Sequence, residues 1–412
     1  MGTMSDLRID GDRLWRTLMD LAKIGATPKG GLCRLALTDL DKEGRDLFVR
    51  WCEEAGCTVT VDEVGNIFAR RPGRNPDRPA VCMGSHLDTQ PTGGRFDGIY
   101  GVLAGLEVIR SFNDQGIETD APIDLIVWTN EEGARFSPPM LGSGVAMGVF
   151  TLDHVLDIRD TDGVRLGDEL ARIGYKGEVP VTGHAMGAYF EAHIEQGPVL
   201  EAEDVEIGVV TGAQGQRWYE ATVTGRESHA GPTPMRLRRD ALAGAAVMME
   251  AVEAIALEVG GDACSTIGRV QVHPDSRNVI PGRVWFTIDL RNPDPDALAR
   301  MDAMLRERLA AIADKRGLTL ELTDFWAFPT TPFAPELVGH VRRSVERRGL
   351  SHRDIVSGAG HDAVYVARKV PTAMIFIPCE NGLSHNEAEN IKPEHAASGC
   401  AVLADAVLAT AG

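Results

Sequence analysis

The most constraining feature of this chain is where its apolar strands change character. Residues 80–84 and 123–129 are short, largely apolar runs, and the segment 98–112 between them repeats apolar residues at helical spacing. A strand that is apolar on both faces has to be covered on both faces, which predicts a mixed, mainly parallel sheet sandwiched by helices. Leu14, Leu18 and Leu21 predict a first helix ending near Gly25, and Leu40, Leu47, Phe48 and Trp51 a second that starts at Thr38 and stops at Gly56. Strands are expected at 57–61 and 66–70. From about 215 to 326 the pattern differs. Residues 218–223, 284–290 and 318–322 alternate apolar with polar, as strands with one wet face do, while 241–257 and 298–312 are helical and 266–272 reads as one more strand. That βαββαβ order is ferredoxin-like. Helix, strand and helix then resume at 336–348, 373–377 and 394–408. The expected architecture is an α/β domain made of 1–213 and 331–412, with a ferredoxin-like α+β domain inserted over 214–330.

A chain of 412 residues suits two domains. The formal charge of −18 excludes nucleic acid and anionic membrane as principal partners, because both call for a basic footprint. No apolar run approaches the roughly 18 residues of a membrane-spanning helix. The seven cysteines are scattered and form no CxxC pair, a usage typical of reducing compartments. The stretch from Met1 to Asp12 has no apolar signal core, so a cytoplasmic location is expected.

Five polar clusters punctuate the α/β pattern. Ser85-His86-Leu87-Asp88-Thr89 follows an apolar strand; His86 can offer an imidazole to a metal and Asp88 can orient that ring. Gly93-Gly94-Arg95-Phe96-Asp97-Gly98 precedes a helix, where Asp97 taken alone reads first as an N-cap. Asn130-Glu131-Glu132-Gly133 closes a strand with adjacent carboxylates, which repel unless a cation or proton intervenes; a solvated pair is the alternative. His193-Ile194-Glu195-Gln196 and Ser384-His385-Asn386-Glu387 each follow an apolar stretch. No cluster decides the matter alone. Three histidines and two carboxylates, each at a strand end or helix start, form a ligand set suited to zinc, manganese or cobalt, with Asp97 able to bridge two ions.

In order along the chain, SHLDT, GGRFDGIYG, NEEGARF, HIEQGP and GLSHNE resemble the M20 metallopeptidase clan and, within it, the hydantoinase/carbamoylase amidases. The resemblance runs from the first helix to the last. It implies two divalent ions per subunit, zinc first with manganese, cobalt or nickel as alternatives. One would be held by His86 and His193 and the other by Glu132 and His385, with Asp97 bridging. It implies Glu131 as general base and Asp88 as the residue orienting His86. His229, in Glu227-Ser228-His229-Ala230-Gly231, would polarise the scissile carbonyl. Gln196, Asn278, Arg291, Gly360 and His361 would bind substrate, Arg291 through a carboxylate. The inserted domain would carry a homodimer interface and act as a lid. The implied reaction is hydrolysis of the terminal ureido group of N-carbamoyl-L-amino acids to amino acid, carbon dioxide and ammonia. N-carbamoyl-β-alanine and allantoate are alternative ureido carboxylates. An aminoacylase or dipeptidase, or a non-catalytic binding protein on the same scaffold, is a more remote reading.

Overall fold

The computed structural model describes residues 7–412, so the first six residues of the N-terminal stretch lie outside it. The chain divides into two compact units, one running to Gly212 and resuming at Pro332, the other from Ala213 to Thr331.

The first unit begins with two helices. Gly11–Leu21 is capped by Asp10 and stops four residues short of Gly25. Asp39–Glu54 is capped by Thr38, whose side chain accepts from the Asp41 N–H. The strands β1 (Thr58–Val61), β2 (Ile67–Arg71), β3 (Ala80–His86), β4 (Ile123–Trp128), β5 (Met186–Ile194) and β6 (Ile207–Ala213) follow. Every residue of β3 and β4 is buried, including Asp124, whose carboxylate pairs with Arg70. The helix Ile99–Asp114 lies between them in sequence and also buries most of its residues.

The second unit contains β7 (Gly215–Thr224), β8 (Ser228–His229), β9 (Cys264–Thr266), β10 (Val270–His273), β11 (Val279–Ile280), β12 (Arg283–Asn292) and β13 (Thr319–Phe328), with helices Ala241–Val259 and Pro295–Arg316. Its main sheet runs β10-β12-β7-β13, antiparallel throughout, which is the ferredoxin-like order. Tyr219, Ala221 and Val223 of β7 and Val284, Phe286, Ile288 and Leu290 of β12 pack with Met248, Val252, Met301, Leu305 and Leu309 of the two helices. The strand expected at 266–272 is instead two. Thr266 pairs Asp289 and Val270 pairs Phe286, so one strand advances four residues while its partner advances three. That extra residue at 267–269 is a bulge, which a hydropathy pattern does not reveal.

The chain returns to the first unit with β14 (Thr331–Pro332), β15 (His352–Ser357) and β16 (Thr372–Ile377), and ends in the helix Pro393–Ala411. The sheet order is β1-β2-β4-β3-β5-β16-β6-β14, with β15 also on β6. The pairs β3–β4, β3–β5 and β5–β16 are parallel, and the flanking pairs β1–β2, β2–β4 and β16–β6 are antiparallel. Four adjacent strands, β4-β3-β5-β16, therefore send their carboxyl ends to one edge of the sheet. In open α/β sheets that edge is where ligand sites form.

Candidate metal centre

Each of those four strands delivers one polar residue or loop. β3 ends on His86, β4 leads into Asn130-Glu131-Glu132, β5 carries His193 as its penultimate residue, and β16 leads into the loop holding His385. Asp97 comes from the turn before the helix Ile99–Asp114. It is not that helix's cap: Gly98 takes that position with φ +68°, and a Cβ there would fall 2.3 Å from His86 Nε2. Only glycine lets the turn approach the histidine so closely.

The donor atoms form two groups that share Asp97. His86 Nε2 and His193 Nε2 lie 3.8 and 3.2 Å from Asp97 Oδ1. His385 Nε2 lies 3.3 Å from both Asp97 Oδ2 and Glu132 Oε2. Within each group, His86–Asp97–His193 and Asp97–Glu132–His385, the candidate ligand atoms are all within 4.8 Å of one another. His86 Nδ1 is 2.9 Å from the Asp88 carbonyl and His193 Nδ1 2.8 Å from the Ile194 carbonyl. A carbonyl only accepts, so both rings carry their proton on Nδ1 and turn the Nε2 lone pair toward Asp97. The Gly98 N–H donating to His193 Nε2 at 3.1 Å agrees with that tautomer.

The electrostatics fit a cation. Burial pushes His86 down to about 4, keeping it the neutral imidazole a metal needs. Glu132 is raised to about 8 by burial and by Asp97, and Glu131 is raised well above the usual carboxylate range by burial, Asp362 and Glu132. Burial works against ionised Asp97 too, but the close approach of His193 and His385 holds it well below the usual range. Gln196 Oε1 is buried with no hydrogen-bond partner among the described residues. Imidazole nitrogens and crowded carboxylates converging on one place are what divalent metal would relieve, so the donor set fits such ions.

Glu131 Oε2 stands 3.4 Å from His86 Nε2, beside both groups. The Asp88 side chain does more than face His86. Its carboxylate is 3.9 Å from His86 Nδ1, whereas its oxygens accept the Glu131 N–H (3.3 Å) and the Glu132 N–H (3.2 Å). The ring is thus oriented by the Asp88 main chain, and the Glu131–Glu132 turn by the Asp88 side chain. Gln196 Nε2 donates to Asp97 Oδ2 at 2.9 Å. His361, which follows Gly360, is buried edge-on to the His193 ring, centroids 4.5 Å apart, with Nε2 2.9 Å from Ser357 Oγ. Two contributors escaped the sequence reading. Gln90 clamps Glu132 through its backbone N–H (3.1 Å) and its amide (2.7 Å), and Glu389 accepts from the Phe96 and Asp97 N–H groups. Both lie within a few residues of recognised motifs, which was the available signal.

His229, Asn278 and Arg291 belong to the second unit. The ribbon β8–β11 pairs His229 with Val279, and the Ala230 N–H donates to the Asn278 carbonyl at 2.9 Å, so the two loops are held side by side. The Gly231 N–H donates to His229 Nδ1 (3.1 Å), which puts the ring proton on Nε2, the donor form that can polarise a carbonyl. Arg291 forks onto the Asp289 carboxylate at 2.7 and 3.0 Å.

The model of the Peptidase family M20/M25/M40 matches residues 82–409. An N-carbamoyl-L-amino-acid amidohydrolase of Rhizobium meliloti is 51% identical over 98% of this chain and 97% of that protein. An allantoate amidohydrolase of Escherichia coli is 36% identical over 94% and 95%. A crystal structure of a hydantoinase/carbamoylase family amidase from Burkholderia vietnamiensis superposes with TM-score 0.95 at 58% identity, covering 99% of this chain and 98% of that one.

Proposed function

The chain belongs to the Peptidase family M20/M25/M40, and from that premise we propose that it is a metal-dependent amidohydrolase removing the carbamoyl group of N-carbamoyl-L-amino acids. The products are the amino acid, carbon dioxide and ammonia. The observation that carries the reading is the pair of donor groups meeting at the two oxygens of Asp97, with the Glu131 carboxylate beside them. The N-carbamoyl-L-amino-acid amidohydrolase at 51% identity supports this substrate over allantoate, whose hydrolase is 36% identical.

We assign two divalent ions, zinc first, to His86, His193, Asp97, Glu132 and His385. When bound, such ions polarise a carbonyl and make water acidic enough to attack near neutral pH. Glu131 takes the proton of the attacking water and returns it to the leaving nitrogen, a base that becomes an acid; its raised affinity for a proton suits the second half of that task. Gln196 and His361 line the substrate, His229 and Asn278 meet the oxyanion, and Arg291 takes the carboxylate in a bidentate fork, exchanging it for Asp289. The exposed Met235, Leu237 and Leu257 support a homodimer through the second unit. All seven cysteines are free, which favours a cytoplasmic setting; no helix among the described residues is long and apolar enough to cross a membrane. The test is ammonia release from N-carbamoyl-L-amino acids, N-carbamoyl-β-alanine, allantoate and N-acetyl amino acids. The first class is expected to have the largest kcat/KM; release from none of the ureido compounds by metal-loaded protein would refute the proposal.

A further inference from the structure

Glu389 is 1% exposed and lies four residues beyond His385. Its Oε1 accepts the backbone N–H of Phe96 at 2.9 Å and of Asp97 at 3.1 Å. Its Oε2 is 3.1 Å from Ser384 Oγ, and the same hydroxyl is 3.0 Å from Asp97 Oδ2. One side chain thus ties the main chain of Asp97, through Ser384 the outer oxygen of Asp97, and the loop presenting His385. That loop needs pinning, because His385 sits at φ +53°, a conformation that costs a residue with a Cβ. The seat is closely fitted. A Cβ on Gly94 would fall 2.0 Å from the Glu389 carboxyl carbon, so glycine there makes room for the carboxylate.

The two oxygens of Asp97 are held differently. Oδ1 faces His86 and His193, whose rings are anchored by the main-chain carbonyls of Asp88 and Ile194. Oδ2 faces His385, half exposed on a loop, and is reached by Gln196 and Ser384. We propose that Glu389 is the positioning residue for the outer ion, the one bound by Asp97, Glu132 and His385, and that the inner ion, held also by His86 and His193, depends on it far less. This rests on the reading of those five residues as metal ligands. Ser384 has one hydroxyl proton and two carboxylates within reach. A glutamine at 389 would keep the backbone contacts through its amide oxygen and donate to Ser384, leaving the hydroxyl proton for Asp97.

The test is cobalt binding to metal-stripped protein, followed by calorimetry and by the cobalt absorption spectrum, with the metal-free unfolding midpoint measured alongside. Wild-type protein is expected to take two ions per subunit. Glu389→Ala should weaken the outer ion by about 10- to 100-fold, the usual loss when a residue supporting a ligand is removed, and the inner one far less. Glu389→Gln should retain both ions. Gly94→Ala, which drives the carboxylate from its seat without touching it chemically, should reproduce Glu389→Ala and decides the matter if that variant does not fold. Two ions at wild-type affinity in Glu389→Ala or in Gly94→Ala, or equal weakening of both ions, would overturn the proposal. Wild-type protein that takes up no ion would overturn the metal reading and this proposal together.

Discussion

The proposed chemical residues and the proposed recognition residues of this chain are built in opposite ways. In the first unit His86, Glu131 and His193 are buried at or just beyond the ends of β3, β4 and β5, and Asp97 is buried in the turn before the helix Ile99–Asp114; main-chain carbonyls fix the two rings, the Asp88 carboxylate holds the Glu131 main chain, and Gln196 and Ser384 reach Asp97. In the second unit His229 and Asn278 are exposed on a two-stranded ribbon, and Arg291 is partly exposed and forked onto Asp289. Buried donors in a crowded, low-dielectric setting are pre-set for one reaction, because any movement leaves a charge unpaired. Exposed donors that rest on replaceable partners are suited to taking and releasing a ligand. The lesson is that substitutions in the first group should act on the chemical step, and those in the second on substrate capture.

Glu131→Gln breaks the comparison most severely. It should lower kcat by about 10³-fold or more, within or beyond the usual range for a lost general base, while the protein keeps its metal and its KM. Loss of metal in that variant would make Glu131 a ligand and reverse its assignment with Glu132. Arg291→Ala should raise KM by about 10- to 100-fold for carboxylate substrates, the scale of a lost charge-assisted bidentate bond, with kcat changed far less. An unchanged KM in steady-state kinetics would remove Arg291 from substrate binding.

A smaller effect sharpens the buried side of the comparison by pH. Glu132 is raised from 4.5 to about 8 in the folded, metal-free protein by burial and by Asp97, so its protonated form is the one the fold favours. Its contribution to stability is then fully present below pH 4.5 and is lost as pH rises through 8. Metal-free protein should therefore show a higher unfolding midpoint near pH 6 than near pH 8.5. The metal-loaded protein should lose this dependence, because the cation replaces the proton and binding expels it. Equal midpoints for metal-free protein at the two pH values would show that Glu132 is not in the crowded, buried state described.

The layered fold was legible because β3 and β4 are apolar on both faces and β7 and β12 on one, a difference that burial follows residue by residue. Short elements were not. The helices Leu141–Ala146, Leu152–Asp157 and Leu166–Arg172 have too few turns for a period to emerge, and the bulge between β9 and β10 changes the register without changing hydropathy. In the site, the strand-end positions of His86 and Glu132 could be read from pattern alone. Asp97 could not, since an aspartate before a helix reads first as an N-cap, and only the positive φ of Gly98 separates the two. Gln90 and Glu389 were invisible for another reason. A polar residue in a loop carries no mark of being buried, and both owe their placement to neighbours far away in sequence.

The central claim is that the two donor groups sharing Asp97 are a catalytic metal centre served by Glu131. The most direct measurement is ammonia release from an N-carbamoyl-L-amino acid by one preparation, before chelation, after it, and after zinc, manganese, cobalt or nickel is restored, with bound metal counted at each stage. The account predicts activity that vanishes with the metal, returns with about two ions per subunit, the usual complement of a two-metal site, and stays absent in Glu131→Gln carrying the same metal. Full activity in protein shown to be metal-free, or in metal-loaded Glu131→Gln, would contradict it.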